Sequence, residues 1–307
     1  MLSTTPDKCP DYLLEKVSKL PEMPTAIVNA GAPLAMQSAH LAQQHGVIEP
    51  VLVGDRRAIE RIAGEIDWDI SSLRVEEAKD QQTAGDLAAK LAGAGEVAAL
   101  MKGDIHSDAL LRSVLNRDNG LRTGAHLSHV FHMTVPASDR VLCITDGAMN
   151  VAPNVEARVE IARNAVQLMH ALGNPAPKVA VLSAVEDVSE SMPSSIEAAE
   201  IVKKAEDIAG AVFAGPLAFD LAVSPQAAHI KHITGPITGD ADVLLVPSIE
   251  TGNALFKMMV HFMSAAAAGI VMGARVPVIL TSRGDSVASR LASAALSRIY
   301  SNYLESL

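Results

Sequence analysis

The sequence predicts an α/β protein with mainly parallel sheets, and three observations predict it. Short apolar runs that read as strands buried on both faces recur along the chain. Longer amphipathic segments lie between them, the order that parallel sheets with crossover helices require. The 307 residues, 49% of them hydrophobic, are enough for one large domain or two of ordinary size.

Taken in order, the expected strands are residues 25–30 (TAIVNA), 51–54 (VLVG), 141–145 (VLCIT), 179–183 (VAVLS), 243–247 (VLLVP) and 276–281 (VPVILT). The helical segments between them are residues 33–45, 56–66, 84–91, 108–115, 155–172, 195–208 and 254–267, with a last helix from 286 to about 304. The run 258–273 (MMVHFMSAAAAGIVMG) is apolar apart from His261 and Ser264. At 16 residues it is shorter than the roughly 20 that a membrane span needs, so it reads as a buried helix running into a strand. Residues 134–140 (TVPASDR), a Pro/Ser stretch between apolar runs, are the expected domain boundary.

Charge and composition narrow the function. Twenty-five basic against thirty-five acidic residues leave a net charge of −10. That argues against nucleic acid or an anionic membrane as partner while allowing a local basic pocket. Two cysteines, Cys9 and Cys143, exclude a disulfide scaffold and a four-cysteine zinc site. Aromatic residues make up 3%, too few for a stacking surface along a single strand. The first residues lack the basic region and apolar stretch of a secretory signal, so a cytoplasmic location is expected. P-loop, G-x-S-x-G, H-E-x-x-H and C-x-x-C patterns are absent. Residues 93–98 (GAGEVA) match a loose dinucleotide fingerprint, but they follow a helix rather than a strand.

Open parallel sheets bind ligands beyond the carboxyl ends of their strands, and three such ends are polar. In residues 281–286 (TSRGDS), Asp285 or Ser286 can cap the last helix and Gly284 lets backbone approach a ligand. Amides at that helix start favour an anion, and Arg283 can grip phosphate oxygens in pairs. The same loop also reads as a plain cap with a surface arginine. In residues 250–253 (ETGN), Asn253 and Lys257 share a helix face, suited to phosphate or to a lysine snorkelling from an apolar helix. In residues 146–150 (DGAMN), Asp146 faces a cleft or caps the loop. His126, His129 and His132 cannot share one metal on a strand, because His129 faces away from the other two. A polar contribution of Ser128 or His129 to a cleft is the better reading.

Five blocks together resemble the phosphate acetyltransferase and phosphate butyryltransferase family: GLRTGAHLSHV (120–130), CITDGAMNVAPN (143–154), GPLAFDLAVSPQAA (215–228), ADVLLVPSIETGNALFKMM (241–259) and VPVILTSRGDS (276–286). The resemblance implies transfer of an acyl group between coenzyme A and inorganic phosphate. Coenzyme A is then a substrate, and no metal or redox cofactor is required. It further implies two α/β domains of isocitrate/isopropylmalate dehydrogenase-like architecture, an active site in the interdomain cleft, and a homodimer. The expected domains are residues 1–137 with 284–307, the last helix returning to the first domain, and residues 138–283.

Carried over residue by residue, the resemblance places Ser282 and Arg283 at the reacting acyl phosphate. Asn253 and Lys257 fall at the phosphate, and Asp146, Asn150, Thr251, Ser128 and His129 complete the expected substrate-binding set. One position departs. The acetyltransferases carry an Asp seven residues after the Ser, assigned as the base for the thiol; here it is Ser289, as in the butyryltransferase-like pattern S-R-x-D-S. Asp285 is the expected substitute, with Asp146 second. Two rivals remain. A β-decarboxylating dehydrogenase needs a tyrosine–lysine pair, yet Tyr12, Tyr300 and Tyr303 all lie near the termini. A non-catalytic acyl-CoA or acyl-phosphate sensor would explain Ser289 but not the intact Ser-Arg loop.

Overall fold

The structure, a computed structural model, describes residues 2–136, 138–281 and 284–307. Backbone contacts divide the chain into two units, Asp7–Ala125 with Ala268–Leu307, and Met1–Pro6 with His126–Ala267. The elements open with α1 (Asp11–Val17), β1 (Met23–Val28), α2 (Pro33–Gln44), β2 (Ile48–Gly54) and α3 (Arg56–Glu65). β3 (Arg74–Glu77), α4 (Gln81–Gly93), β4 (Ala99–Lys102) and α5 (Ser107–Leu115) follow. Next come β5 (Ser128–Val135), β6 (Ser138–Thr145), α6 (Val155–Ala171), β7 (Lys178–Leu182) and α7 (Pro193–Lys204). The chain continues with β8 (Val212–Leu217), α8 (Phe219–Val223), α9 (Pro225–Ile230), β9 (Val243–Leu245) and α10 (Ile249–Met263). It ends with β10 (Ala266–Met272), β11 (Val278–Ile279) and α11 (Val287–Glu305).

Side-chain caps set several helix starts. Asp55 accepts the Ala58 N–H at the head of α3, Asp80 that of Thr83 at α4, and Asn154 that of Ala157 at α6. In the Asp7–Ala125 unit the strand order is β3-β2-β1-β4-β11-β10, parallel except for β10 against β11. The C-terminal helix α11 belongs to this unit, and its residues from Ser289 to Ser301 are buried. Alanine and serine let it lie close to its neighbours: Ser293 Oγ takes the Gly269 N–H at 2.9 Å. The His126–Ala267 unit has the order β5-β6-β9-β7-β8, with β5 antiparallel to β6 and the rest parallel. Its core joins Phe131 of β5 to Phe256 of α10, rings stacked at 4.1 Å, which seats α10 on the sheet.

Three expectations shift. Thr134 and Val135 end β5, and β6 begins at Ser138, so this stretch belongs to paired strands rather than a linker, and the division falls at 125/126 instead of 137/138. The second division falls at 267/268 rather than 283/284, because β11 pairs with β4. The helix expected over 254–267 begins at Ile249 and stops at Met263, and the alanines that follow enter the wholly buried strand β10. Its end is not buried: Met258, Phe262 and Met263 are exposed. No helix among the described residues is long and apolar enough to cross a membrane.

Candidate active site

β6 and β9 are parallel neighbours in the His126–Ala267 unit, so the loops leaving their carboxyl ends lie side by side. The loop after β6 is organised by Asp146, which is 3% exposed. Its Oδ1 accepts the Ala148 and Met149 N–H groups at 2.8 and 2.9 Å. Its Oδ2 accepts the His129 N–H at 2.9 Å and Asn150 Nδ2 at 2.7 Å. Asn150 also donates to the Leu127 carbonyl, and its Oδ1 lies 2.8 Å from His126 Nε2. Four accepted hydrogen bonds use the carboxylate fully, three in shaping its own loop and one in tying that loop to β5.

Two glycines join this loop to the next. A Cβ on Gly252 would lie 2.7 Å from Gly147 Cα and 3.0 Å from the Asp146 carbonyl; one on Gly147 would lie 2.9 Å from the Gly252 carbonyl carbon. Only glycine allows two backbones to approach this closely. Asn253 Nδ2 donates to the Gly147 carbonyl at 3.2 Å, and the Ile249 N–H donates to the Val151 carbonyl at 3.1 Å. The start of α10 is thereby fixed on the β6 loop. Thr251 Oγ1 lies 3.4 Å from Ser248 Oγ in the first helical turn. Lys257, one turn beyond the half-buried Asn253, is exposed. Lys257 thus stands two turns into α10, while the first turn of the helix carries Glu250, so the lysine rather than the helix start is the positive feature beyond the two parallel strands.

Behind that platform lie Ser128 and His129, both buried. Ser128 Oγ accepts from Asn164 Nδ2 at 2.8 Å, and the His129 ring packs on Phe131 with centroids 4.2 Å apart. Both serve the support of the loop rather than its open face. Burial pushes the His132 imidazole down to about 4, which leaves the ring neutral near pH 7. Among the described residues no cluster of His, Cys, Asp or Glu side chains could hold a metal ion.

The third polar loop follows β11 in the other unit. Ser282 and Arg283, the expected catalytic pair, lie outside the described residues. Around them the anchoring is clear. Of the two cap candidates Ser286 is the N-cap of α11, its Oγ accepting the Ser289 N–H at 3.0 Å. Ser286 Oγ in turn donates to the Asp7 carboxylate, which also accepts from Ser289 Oγ at 3.4 Å. Arg290, 7% exposed, donates from Nη1 to Thr281 Oγ1 at 3.1 Å and from Nε to the Asp285 carbonyl at 3.2 Å. One guanidinium thus ties the two ends of the loop. Burial lowers the Arg290 pKa, and the nearby Asp285 carboxylate opposes that shift.

The sequence reading brings together Asp146, Asn150, Ser128, His129, Thr251, Asn253 and Lys257 within one unit and Asp285 in the other. It missed Asp7, Arg290, Asn164 and the Gly147–Gly252 contact. Arg290 carried a signal, a charged residue inside an Ala/Ser/Leu-rich helix. Asp7 carried none, because its partners are 279 and 282 residues away in the chain.

An α/β fold with polar loops beyond the carboxyl ends of parallel strands defines a class of proteins that take their ligands at those ends. Comparisons narrow it. A family model described as "Phosphate acetyl/butaryl transferase" matches residues 81–297. A phosphate acetyltransferase of Rhizobium meliloti is 44% identical over 261 residues, 84% of this chain and 83% of the relative. A phosphate butyryltransferase of Clostridium beijerinckii is 38% identical over 291 residues, 94% of this chain and 96% of the relative. The crystal structure of a branched-chain phosphotransacylase from Enterococcus faecalis V583 matches with a TM-score of 0.81 at 33% identity, covering 91% of this chain and 99% of that one. The chain belongs to the phosphate acetyl/butyryl transferase family, and it is an acyltransferase.

Proposed function

We propose that this acyltransferase moves a short acyl group between coenzyme A and inorganic phosphate, acyl-CoA + phosphate giving acyl phosphate + CoA. The observation that carries the reading is the match along nearly the whole chain to relatives named for that transfer. Attack is direct, without a covalent enzyme intermediate. In support, both cysteines are buried and their thiols are pushed up to about 12 by desolvation, which removes them as nucleophiles.

Written toward acyl-CoA, the thiol loses its proton to a base and its sulfur bonds to the acyl carbon. The carbonyl becomes a tetrahedral oxyanion; the C–O bond to phosphate then breaks and phosphate leaves. Arg283 and Ser282 stabilise the developing charge, and Asn253 with Lys257 hold the phosphate. Asp285 is the proposed base, since Asp146 already accepts four hydrogen bonds, three from its own loop and one from His129 of β5. The chemistry calls for no metal or redox cofactor. Two anionic substrates must be positioned, and positioning supplies much of the rate. The S-R-x-D-S loop sides with the butyryltransferase type, so butyryl-CoA should react ahead of acetyl-CoA. We further assign the enzyme to the cytoplasm, as a homodimer.

The test measures thiol release from acetyl-, propionyl- and butyryl-CoA, with and without phosphate, for the wild type and Arg283→Ala. Phosphate-dependent release that Arg283→Ala lowers by at least 100-fold at unchanged melting temperature supports the reading. Near-normal turnover in that variant removes Arg283 from the chemistry, and acyl-CoA binding without release overturns the transfer itself.

A further inference from the structure

Of the three histidines in residues 126–132, His129 and His132 are buried, while His126 is half-buried and bonded to the loop after β6. Its ring Nε2 lies 2.8 Å from Asn150 Oδ1. The Asn150 amide can face only one way. Its Nδ2 donates to the Leu127 carbonyl at 3.0 Å and to Asp146 Oδ2 at 2.7 Å, and turned over, its oxygen would meet two acceptors. Asn150 Oδ1 therefore accepts from the ring, and Nε2 carries the hydrogen. In the neutral ring the lone pair then sits on Nδ1. Nδ1 makes no hydrogen bond to the described residues, and it is not shut away from water.

The residue is held through its backbone as well. The His126 carbonyl accepts Asn164 Nδ2 of α6 at 2.8 Å, and the same amide reaches Ser128 Oγ at 2.8 Å. Asp146, Asn150 and His126 thus form a chain in which a buried carboxylate orients an amide and the amide fixes a ring tautomer. Backing by further groups commits one nitrogen to structure and leaves the other for proton transfer, and histidine is the side chain that ordinarily exchanges protons near neutral pH. The same loop anchors a residue assigned above to phosphate: Asn253 donates to the carbonyl of Gly147, three residues before Asn150.

We propose that Nδ1 of His126 gives the proton to the departing phosphate, and takes it back in the opposite direction. The inference rests on the proposed transfer, which assigns a base to the thiol and no acid to the phosphate. Toward acyl-CoA, the bond from the acyl carbon to the bridging oxygen breaks, and without a proton the strongly basic phosphate trianion would leave. The Nδ1 hydrogen of protonated His126 passes to the bridging oxygen, so the hydrogen phosphate dianion leaves and the ring becomes neutral. Asp285 meanwhile holds the thiol proton. Acyl phosphate dianion and thiol give thioester and hydrogen phosphate dianion, and exchange with water resets both side chains. In reverse, Nδ1 takes the proton of hydrogen phosphate as its oxygen bonds to the thioester carbon, and the sulfur leaves with the proton from Asp285.

Two variants test it. His126→Gln keeps an N–H for Asn150 but transfers no proton, and His126→Ala makes room for added imidazole. In each, kcat for phosphate-dependent thiol release should fall by about 100-fold or more, the loss expected for an acid–base group. The phosphate KM should stay within about 3-fold of wild type and the melting temperature of His126→Gln should hold. Imidazole should restore His126→Ala by about 10-fold or more and leave His126→Gln unchanged. A kcat within about 3-fold of wild type, a loss confined to the phosphate KM, or a loss that imidazole leaves untouched overturns the proposal. Failure of the transfer itself reads differently, since the wild type then releases no thiol. The tautomer is read without turnover from the nitrogen-15 resonances of the neutral His126 ring, assigned by their loss in His126→Gln. A hydrogen on Nδ1 instead of Nε2 in that ring also overturns the proposal.

Discussion

Replacing Asp146 with Asn separates a carboxylate that builds a loop from one that takes a proton. The side chain is 3% exposed, with two donors on each oxygen. An amide keeps one acceptor oxygen and turns an NH2 toward the other pair of donors, whichever way it is placed. Two hydrogen bonds are lost, and two N–H groups face another donor. At about 1–3 kcal/mol for each donor left unsatisfied, the cost lies at about 2–6 kcal/mol. Ala148 and Met149 are half-buried and partly reached by water, which puts the expected loss near 3 kcal/mol. For units of this size that corresponds to a fall in melting temperature of about 6–12 °C. The assay pairs thermal unfolding by circular dichroism with acyl transfer measured well below the melting point. Stability and turnover should fall together, because the Asp146 loop carries Gly147 and thereby seats α10. A variant with wild-type melting temperature and kcat reduced by 100-fold would refute this reasoning and return Asp146 to the role of base.

Gly252→Ala places a methyl 2.7 Å from Gly147 Cα, against backbone that cannot yield, and should cost about 1–3 kcal/mol in urea unfolding; an unchanged midpoint would show that the two loops do not depend on that contact. Buried His132, held down at about 4, remains neutral in the folded protein while the unfolded chain takes up a proton near 6.5. Stability is therefore full above about pH 6.5 and falls by up to about 1.4 kcal/mol per unit as pH drops toward 4; His132→Leu should flatten that slope, and an unaltered slope would contradict the assignment.

β2, β6 and β7 were legible because a sheet covered on both faces demands unbroken apolar runs, whereas β3, β4 and β8 were not among the expected strands. β11 was less so, since only Val278 and Ile279 of a six-residue apolar run enter the ladder. The alanines at 265–268 misled the helix boundary. Alanine favours a helix by itself, but here the left-handed Ser264, φ 53°, ends α10 and the chain enters β10 instead. Tertiary pairing overrode a weak local preference. At the site, Asp146, Asn150 and Asn253 could be found because each sits just past a strand that announces itself. Asp7 and Arg290 could not be assembled in that way. Asp7 lies in an N-terminal stretch without periodicity, and it acquires meaning only from the residues the fold brings beside it.

The net charge of −10 sets a further condition on how such an enzyme takes anionic substrates. The protein as a whole repels them, but at physiological ionic strength that repulsion is screened beyond about 8 Å. On the reading proposed above, capture then depends on a cation held within a few ångströms of the phosphate, the part given to Lys257 in the middle of α10. Such a contact acts at short range, inside the distance over which salt screens. An acidic surface can therefore repel polyanions in general while a local cation still attracts a small phosphate. The acidic balance describes the outer surface as a whole and a single well-placed cation the proposed site, and only placement in the fold distinguishes the two.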